Sequence, residues 1–269
     1  MPLPARLTTP HLLHHGGPDG DWGNLGLWAG AWHYADACAA LADAVAAAAE
    51  LQHGQRVLSL ACGAGEELLH WVQVYGAASA VGVEADAALA TRARQRVARA
   101  GLLAQCPVVV QPALDWARRR SVADGRFDAV LCVDAAYHLS PRTALFKPVR
   151  RLLARDGRLV FTDLVLERHG RPSRLLGAAA ALCGVPLADL VPRAERVRQL
   201  QAAGFVDVQA QALDDPVLDG FARFVPLQRR RLGAAAWHPA WLKPSLTAAL
   251  IGPCRRAGLG YALFSARQP

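Results

Sequence analysis

Short apolar runs alternate with amphipathic segments from residue 56 onward. Brief runs rich in β-branched residues are typical of buried strands, and the segments between them carry apolar residues at helical spacing. Strands are predicted at residues 57–60, 80–83, 108–110, 127–133, 159–165, 206–213 and 260–266. Strand and helix alternating in this way predict a parallel sheet with helices on both faces.

Helices are predicted between these strands, at residues 36–50, 65–75, 87–100, 143–154 and 193–203. The dipeptide Asp156-Gly157 is expected to form the turn that separates the helix at 143–154 from the following strand. Glycine and aspartate tolerate the left-handed backbone that such a turn requires.

The same pattern predicts a core with helical additions. Residues 1–50 are expected to form an N-terminal helical lid, and residues 51–165 a Rossmann-like core. Residues 166–192 are expected to form a helical cap insertion, and residues 193–269 to complete the core around a second helical insertion at about 216–257. Both insertions should cover the carboxyl ends of the strands, where open α/β sheets bind ligands.

Composition favours one globular, cytoplasmic protein. Hydrophobic residues make up 53% of the 269 residues and charged residues 19%, which is enough apolar material for a core. The apolar windows at 37–49 and 175–191 contain Asp43 and Asp189 and are too short to predict a membrane span. The N-terminus shows no signal-peptide pattern. A monomer or homodimer is expected.

The cysteine spacing and the net charge bear on whether the protein binds a metal ion or a nucleic acid. The six cysteines include no CxxC pair, so no metal site is predicted. A net charge of +8 raises the question of a nucleic-acid partner. The arginines are nevertheless spread over many predicted helices, and no nucleic-acid partner is expected.

A glycine turn follows the first predicted strand and opens a helix. The turn is Ala61-Cys62-Gly63-Ala64-Gly65, and its glycines let backbone amides approach a nucleotide-like ligand closely. Glu84 ends the next strand, where a carboxylate can accept hydrogen bonds from both hydroxyls of a ribose. Together the two features predict a cofactor that contains adenosine.

The charge of the first helical turn separates two adenosine cofactors. NAD places a pyrophosphate at the helix N-terminus and requires a third glycine, where this chain has Leu68. Glu66 and Glu67 occupy the first turn and would repel a pyrophosphate. S-adenosylmethionine (SAM) has no phosphate and carries a sulfonium and an ammonium group, so it is the expected cofactor.

On these motifs the chain resembles the class I SAM-dependent methyltransferases. The resemblance is carried by residues 57–65, Glu84, and residues 127–138 and 152–159, and it extends from about Trp22 to the C-terminus. Within the class the chain is similar to small-molecule enzymes such as the ubiquinone/menaquinone, tocopherol and rebeccamycin sugar O-methyltransferases. The resemblance implies a seven-stranded, mostly parallel sheet with an antiparallel last strand, and a small-molecule acceptor.

The glycine turn and the resemblance together define the expected cofactor contacts. They are Ser59, Ala61, Cys62, Gly63, Gly65, Glu84, Ala85, Asp115, Trp116 and Asp134. The class usually has an acid where this chain has Ser59 and a glycine where it has Ala61, so a typical anchor for the cofactor's amino end is missing; Ser59 with a water is one replacement. Asp115 and Trp116 are alternatives for the adenine contact, and a structural role is the alternative for each.

His138, just after the fourth predicted strand, is the leading candidate for a catalytic base, and Tyr137 is expected to orient the acceptor. Imidazole suits proton transfer near neutral pH, although methyl transfer depends mainly on positioning. An apolar or aromatic acceptor is expected, in contact with Trp28, Tyr34, His138, Phe221, Phe224 and Trp237. Ordinary packing is the alternative for the aromatic residues.

The favoured function is methylation of a small hydrophobic or aromatic metabolite of secondary metabolism, with oxygen slightly preferred over nitrogen or carbon as the acceptor atom. Ser59 and Ala61 leave open a non-methylating protein of the same fold, a cyclase or a scaffold. An RNA methyltransferase is a weaker alternative, suggested by residues 118–120 and 229–231, because residues 135–138 stand where base-methylating motifs would lie.

Overall fold

The computed structural model describes residues 8–17, 20–167 and 173–269, so parts of the predicted lid and of the first cap insertion lie outside the described residues. Seven strands within the described residues form one sheet in the order β3-β2-β1-β4-β5-β7-β6. They are β1 (Arg56–Leu60), β2 (Ser79–Glu84), β3 (Val108–Val110), β4 (Phe127–Cys132), β5 (Leu153–Leu166), β6 (Val206–Ala212) and β7 (Leu259–Arg267).

The direction of the strands confirms the predicted fold. The neighbours from β3 through β5 pair in parallel, whereas β7 is antiparallel to both β5 and β6. The protein therefore has the mostly parallel, Rossmann-like α/β sheet with an antiparallel last strand that the sequence predicted. Strand order reverses between β1 and β4, which is where sheets of this kind bind ligands.

The helices of the described residues lie before β1, between the strands and in the two insertions. They are α1 (Thr9–His14), α2 (Tyr34–Ala48), α3 (Glu66–Gln73), α4 (Ala87–Arg99), α5 (Ala113–Arg119), α6 (Arg142–Leu152), α7 (Arg174–Leu182), α8 (Arg193–Ala202), α9 (Gly220–Arg231) and α10 (Leu242–Arg256). Asp86 caps α4 by accepting hydrogen bonds from the amides of Ala88 and Leu89. None of these helices is both long and apolar enough to cross a bilayer.

The boundary between α6 and β5 differs from the prediction. The helix ends at Leu152, and β5 begins at once, so Asp156-Gly157 lies within the strand instead of before it. Asp156 has a φ of +61°, and the amide of Asp156 donates to the carbonyl oxygen of Gln268 at 3.0 Å. The dipeptide is thus an irregularity in the strand, held by the chain that follows β7.

Alternate side chains of β1 enter two apolar layers, one on each face of the sheet. Val57 packs in the layer that contains Trp71 of α3, whereas Leu58 packs in the layer that contains Phe146 of α6. Because successive side chains of a strand point to opposite faces, Ser59 lies on the same face as Val57. Ser59 is therefore directed toward α3.

A buried ion-pair network joins the first cap insertion to the core. Arg142 and Arg196 contact the carboxylate of Asp163 at 2.9 and 3.2 Å, and Arg142 also lies 3.5 Å from Asp189 of the insertion. Burial raises the pKa of Asp163 to about 6, while the two guanidinium groups oppose this shift. Paired in this way, the charges hold the insertion beside the carboxyl end of β5.

Candidate active site

One cavity of about 820 Å³ opens where β1, β2 and β4 end. Its strand-end half is formed by residues that follow these strands, together with residues 21–25 of the N-terminal region. Its cap half is formed mainly by α7, α10 and the start of α9. In the described residues no group of His, Cys, Asp and Glu side chains is arranged to hold a metal ion.

The two glycines of the turn after β1 have different tasks. Gly63 lines the cavity with a φ of +55°, and a Cβ atom added there would meet no atom within 4 Å. Gly65 does not line the cavity; a Cβ atom there would lie 2.9 Å from the Cβ of Ala93. Gly63 therefore leaves room for a ligand, whereas Gly65 lets the turn pack closely against α4.

The carboxylate of Glu84 lies beside this turn. Its Oε2 accepts a hydrogen bond from the Gly63 amide at 2.8 Å, and its Oε1 accepts one from the Asp86 amide at 2.9 Å. A carboxylate has about four acceptor positions, so each oxygen can accept one more donor. Glu84 can therefore bind a ribose diol while the backbone holds it in place.

A second acidic side chain, Glu67 of α3, also lines the strand-end half. Ser59 is fully buried, does not line the cavity, and donates a hydrogen bond from Oγ to Oε1 of Glu67. Burial raises the pKa of Glu67 to about 8; the Ser59 hydrogen bond lowers it and the charge of Glu84 adds to the rise. Ser59 was predicted to contact the cofactor, but it lies behind Glu67 and does not reach the cavity.

Asp134 is the third buried carboxylate of this half, and it has a φ of +52°. It accepts hydrogen bonds from the hydroxyls of Tyr261 and Tyr137 at 2.7 and 3.0 Å and from the Leu25 amide at 2.6 Å. Burial raises the pKa of Asp134 to about 6, and the three hydrogen bonds oppose the rise. Tyr137 therefore uses its hydroxyl to hold Asp134.

The N-terminal region lies across this half through polar contacts. The Asp21 amide donates to Oε1 of Glu66 at 2.5 Å, and Arg96 contacts the carboxylates of Asp21 and Glu66 at 3.3 and 2.7 Å. Arg92 also pairs with Asp21. Because both arginines are paired with acids, they do not cancel the negative charge of Asp134, and the strand-end half suits a cationic ligand.

The predicted adenine contacts lie elsewhere. Asp115 is exposed and Trp116 packs in the core beside Phe127, with ring centroids 6.3 Å apart. Neither lines the cavity, because α5 begins at Ala113 and turns the two side chains outward and inward respectively. Apolar residues line this end of the cavity instead: Val83, Ala85, Leu89 and Ala113.

The cap half is almost wholly apolar. Its lining side chains come from segments that are far apart in the sequence: Leu164, Leu176, Ala179, Ala180, Leu182, Cys183, Val185, Leu190, Leu218, Phe221, Leu246, Leu250, Ile251, Cys254 and Leu259. Thr9, Lys243 and Thr247 are its polar members. Such a surface favours an acceptor that is largely apolar.

Only some of the predicted acceptor contacts lie at this cavity. Tyr34, His138 and Phe221 line it. Trp28 and Phe224 stack on each other with centroids 4.3 Å apart and do not line it. Trp237 is 84% exposed, with the guanidinium of Arg229 5.5 Å from its ring centroid. Packing of the N-terminal region against α9 thus accounts for Trp28 and Phe224.

His138 lies at the junction of the two halves, in a short 3₁₀ turn (Ala136–His138) after β4. Its Nδ1 is 3.3 Å from the carbonyl oxygen of Gly184 in the first cap insertion. A carbonyl can only accept, so Nδ1 carries the proton and Nε2 keeps its lone pair. Burial lowers the pKa of His138, the Gly184 hydrogen bond opposes this, and nearby Lys243 and Arg142 favour the neutral form further. His138 can therefore accept a proton at neutral pH.

Several cavity residues were not predicted as site residues. Glu67 is the most consequential, and a sequence signal for it exists: Glu67 and Trp71 are four residues apart, so they share the face of α3 that also carries Leu68. A glutamate on a buried helical face next to a glycine turn indicates a ligand contact. The apolar residues of α7 and α10 carry no comparable signal.

Part of the chain matches a known protein family, and most of it aligns with a known enzyme. Residues 57–157 match the model of a family described as methyltransferase domain. Over 273 aligned residues the chain is 28% identical to erythromycin 3''-O-methyltransferase of Saccharopolyspora erythraea, with 95% of this chain and 86% of that protein covered.

Solved structures share the fold. The [4+2]-cyclase SpnF superposes with a TM-score of 0.73 at 20% identity, covering 98% of this chain and 97% of SpnF. Geranyl diphosphate C-methyltransferase from Streptomyces coelicolor A3(2), solved with S-adenosylhomocysteine (SAH), gives 0.69 at 17% identity, covering 88% and 81%.

The family match, the relative and the geometry of the strand-end half all support the predicted resemblance to the class I SAM-dependent methyltransferases. The same comparisons support SAM as the cofactor and a small molecule as the acceptor.

Proposed function

We propose that this methyltransferase transfers its methyl group to a hydroxyl oxygen of a small, largely apolar or aromatic acceptor, with His138 as the general base. The observation that carries the proposal is Nε2 of His138, which has no hydrogen-bond partner among the described residues and lies where the charged and the apolar half of one cavity meet. A base within reach is most useful for a hydroxyl, which must lose a proton during the transfer.

The residues of the strand-end half fit SAM. Gly63 leaves open space beside its backbone, and Glu84 offers free acceptor positions for the ribose hydroxyls. Asp134 adds negative charge near the cationic centres of the cofactor, and Glu67 can add more when a bound cation displaces its proton. When bound, SAM supplies a methyl group already activated by its sulfonium.

The chain's own residues then position the acceptor and move one proton. The apolar cap half holds the body of the acceptor and excludes water. Nε2 of His138 would take the proton that the acceptor hydroxyl loses as its oxygen receives the methyl group from bound SAM, which would leave as SAH. The products are a methyl ether, SAH and a protonated imidazole.

The curated relative supports an oxygen acceptor, since its name states 3''-O-methylation of erythromycin. At 28% identity it supports the acceptor atom class and does not identify the acceptor. A cytoplasmic location and a monomeric or dimeric state stay predictions from the sequence.

The test is methyl transfer to matched acceptors. Purified protein with SAM is offered apolar hydroxyl compounds, including hydroxylated macrocycles and phenols, beside the corresponding amines, and products are followed by mass spectrometry together with SAH. We expect methyl ethers and equal amounts of SAH from hydroxyl acceptors. Methylation of the amines alone would overturn oxygen transfer, and conversion of a substrate without SAH would favour a non-methylating cyclase.

A further inference from the structure

Glu67 differs from the other two buried carboxylates of the cavity in its hydrogen bonds. Glu84 accepts from two backbone amides, and Asp134 from two hydroxyls and an amide. Glu67 accepts from Ser59 through Oε1. Its Oε2 has no hydrogen-bond donor among the described residues. Because Glu67 lines the cavity, a ligand bound there can donate a hydrogen bond to this oxygen.

The position of this carboxylate relative to β1 is informative. Ser59 Oγ is in hydrogen-bond contact with it, and an aspartate at position 59 would extend its own oxygens one bond beyond the place of that Oγ. The carboxylate of Glu67, reached from α3, thus lies where an acidic residue on β1 would place its charge. Ser59 and Trp71 hold it there; the Trp71 indole nitrogen is 3.5 Å from Ser59 Oγ.

We propose that Glu67 binds the ammonium group of SAM's amino-acid part and so replaces an acidic side chain on β1. Glu84, Gly63 and Glu67 line the same cavity, and Glu67 lies in the first turn of α3. A cofactor whose ribose binds Glu84 would therefore have Glu67 available to its amino-acid part. An ammonium group can donate a hydrogen bond to Oε2, and its positive charge favours the ionised form of the Glu67 carboxylate. The inference concerns the cofactor and does not depend on the acceptor proposed above.

The first experiment measures the binding of three ligands to Glu67→Gln by calorimetry: SAM, SAH and 5′-methylthioadenosine, which lacks the amino-acid part. Glutamine keeps the size of the side chain and removes its charge. We expect the affinity for SAM and for SAH to fall about 10- to 100-fold, the usual loss for a charge-assisted hydrogen bond, and that for methylthioadenosine to change less than about twofold. Glu50→Gln, an exposed glutamate paired with Arg158, is the matched control.

Three results would overturn the proposal. Equal losses for all three ligands would show that Glu67 only supports the cavity wall. A loss for SAM far larger than that for SAH would assign Glu67 to the sulfonium. Unchanged binding of SAM would remove Glu67 from the site.

The second experiment places the carboxylate on β1 instead of on α3. In the double variant Ser59→Asp/Glu67→Gln the carboxylate comes from position 59, and we expect SAM affinity within about fivefold of the unchanged protein. Ser59→Asp alone should bind SAM poorly and unfold at lower temperature, because two carboxylates would meet in a buried site. If the double variant folds, as its unfolding temperature will show, but binds no better than Glu67→Gln, the replacement of one acid by the other is refuted.

Discussion

The two halves of the cavity are built in different ways. In the strand-end half, most of the carboxylates and glycines stand at the ends of strands or shortly after them. The backbone amides of Gly63 and Asp86 hold Glu84 there. In the cap half, apolar side chains arrive from helices that are far apart in the sequence, such as α7 and α10. The strand-end half therefore suits ligands with positive charge and hydrogen-bond donors in the right positions, and the cap half suits ligands with the right shape and apolar area.

This difference predicts separable defects. A change in the strand-end half should impair cofactor binding whatever acceptor is used. A change in the cap half should alter the use of acceptors and leave the cofactor bound. His138, at the junction, should affect turnover more than either binding step.

The largest effect is expected from Gly63→Arg. A side chain at this position enters the open space beside the turn, so SAM binding should fall more than about 100-fold, to the limit of calorimetric detection. Gly101→Arg is the control, since Gly101 also has a positive φ and open space around it but does not line the cavity. Comparable loss of SAM binding in both variants would mean that backbone strain, and not occupation of the cavity, is responsible.

His138→Ala should lower kcat about 100-fold, the usual contribution of a general base, with the Kd for SAM changed less than about twofold. Below the pKa of His138, turnover of the unchanged protein should fall as the imidazole becomes protonated; burial shifts this limb to lower pH than for a free histidine. The variant should lack that limb. Steady-state kinetics between pH 5 and 8 check both points, and unchanged turnover would remove the base from the mechanism.

Glu67→Gln should change the dependence of stability on pH. Burial raises the pKa of Glu67 to about 8, above its value of 4.5 in an unfolded chain, so the folded state retains a proton that the unfolded state releases. The unchanged protein therefore loses stability as pH rises from 5 toward 8, by about 2 to 4 kcal/mol from this group. The variant is spared this loss. The free energy of unfolding is measured in urea without SAM at pH 5 and 7.5. Relative to the unchanged protein, the variant should be more stable at pH 7.5 than at pH 5. An equal change with pH in both proteins would contradict a raised pKa of Glu67.

The smallest effect is expected from Leu250→Ala in the cap half. Loss of part of an apolar wall should raise KM for a good acceptor about three- to tenfold and leave the Kd for SAM unchanged. Kinetics with acceptors of different size would sharpen the comparison, because larger acceptors should tolerate the added space better. A weaker affinity for SAM would show that the halves are not independent.

Much of the strand-end half could be predicted from the sequence, because neighbouring residues define its strands, its glycine turn and the position of Glu84. The apolar runs define the strands, the glycine turn follows β1 directly, and Glu84 ends β2. Each of these features depends on a few neighbouring residues and on backbone rules that hold in any fold of this kind. The family resemblance and the cofactor followed from them.

What only the tertiary structure decided concerns side chains whose direction depends on distant segments. Ser59 was expected at the cofactor, but the face of β1 turns it toward α3, and Glu67 lines the cavity instead. Trp28 and Phe224 stack on each other, since the N-terminal region packs against α9. The periodicity of a sequence predicts which residues are buried, but it does not predict which other residues they contact. In the strand-end half, the glycine turn and Glu84 stand directly at the ends of predicted strands, so the sequence alone indicated their chemistry. The apolar lining of the cap half comes from distant helices, so only their packing brings it together.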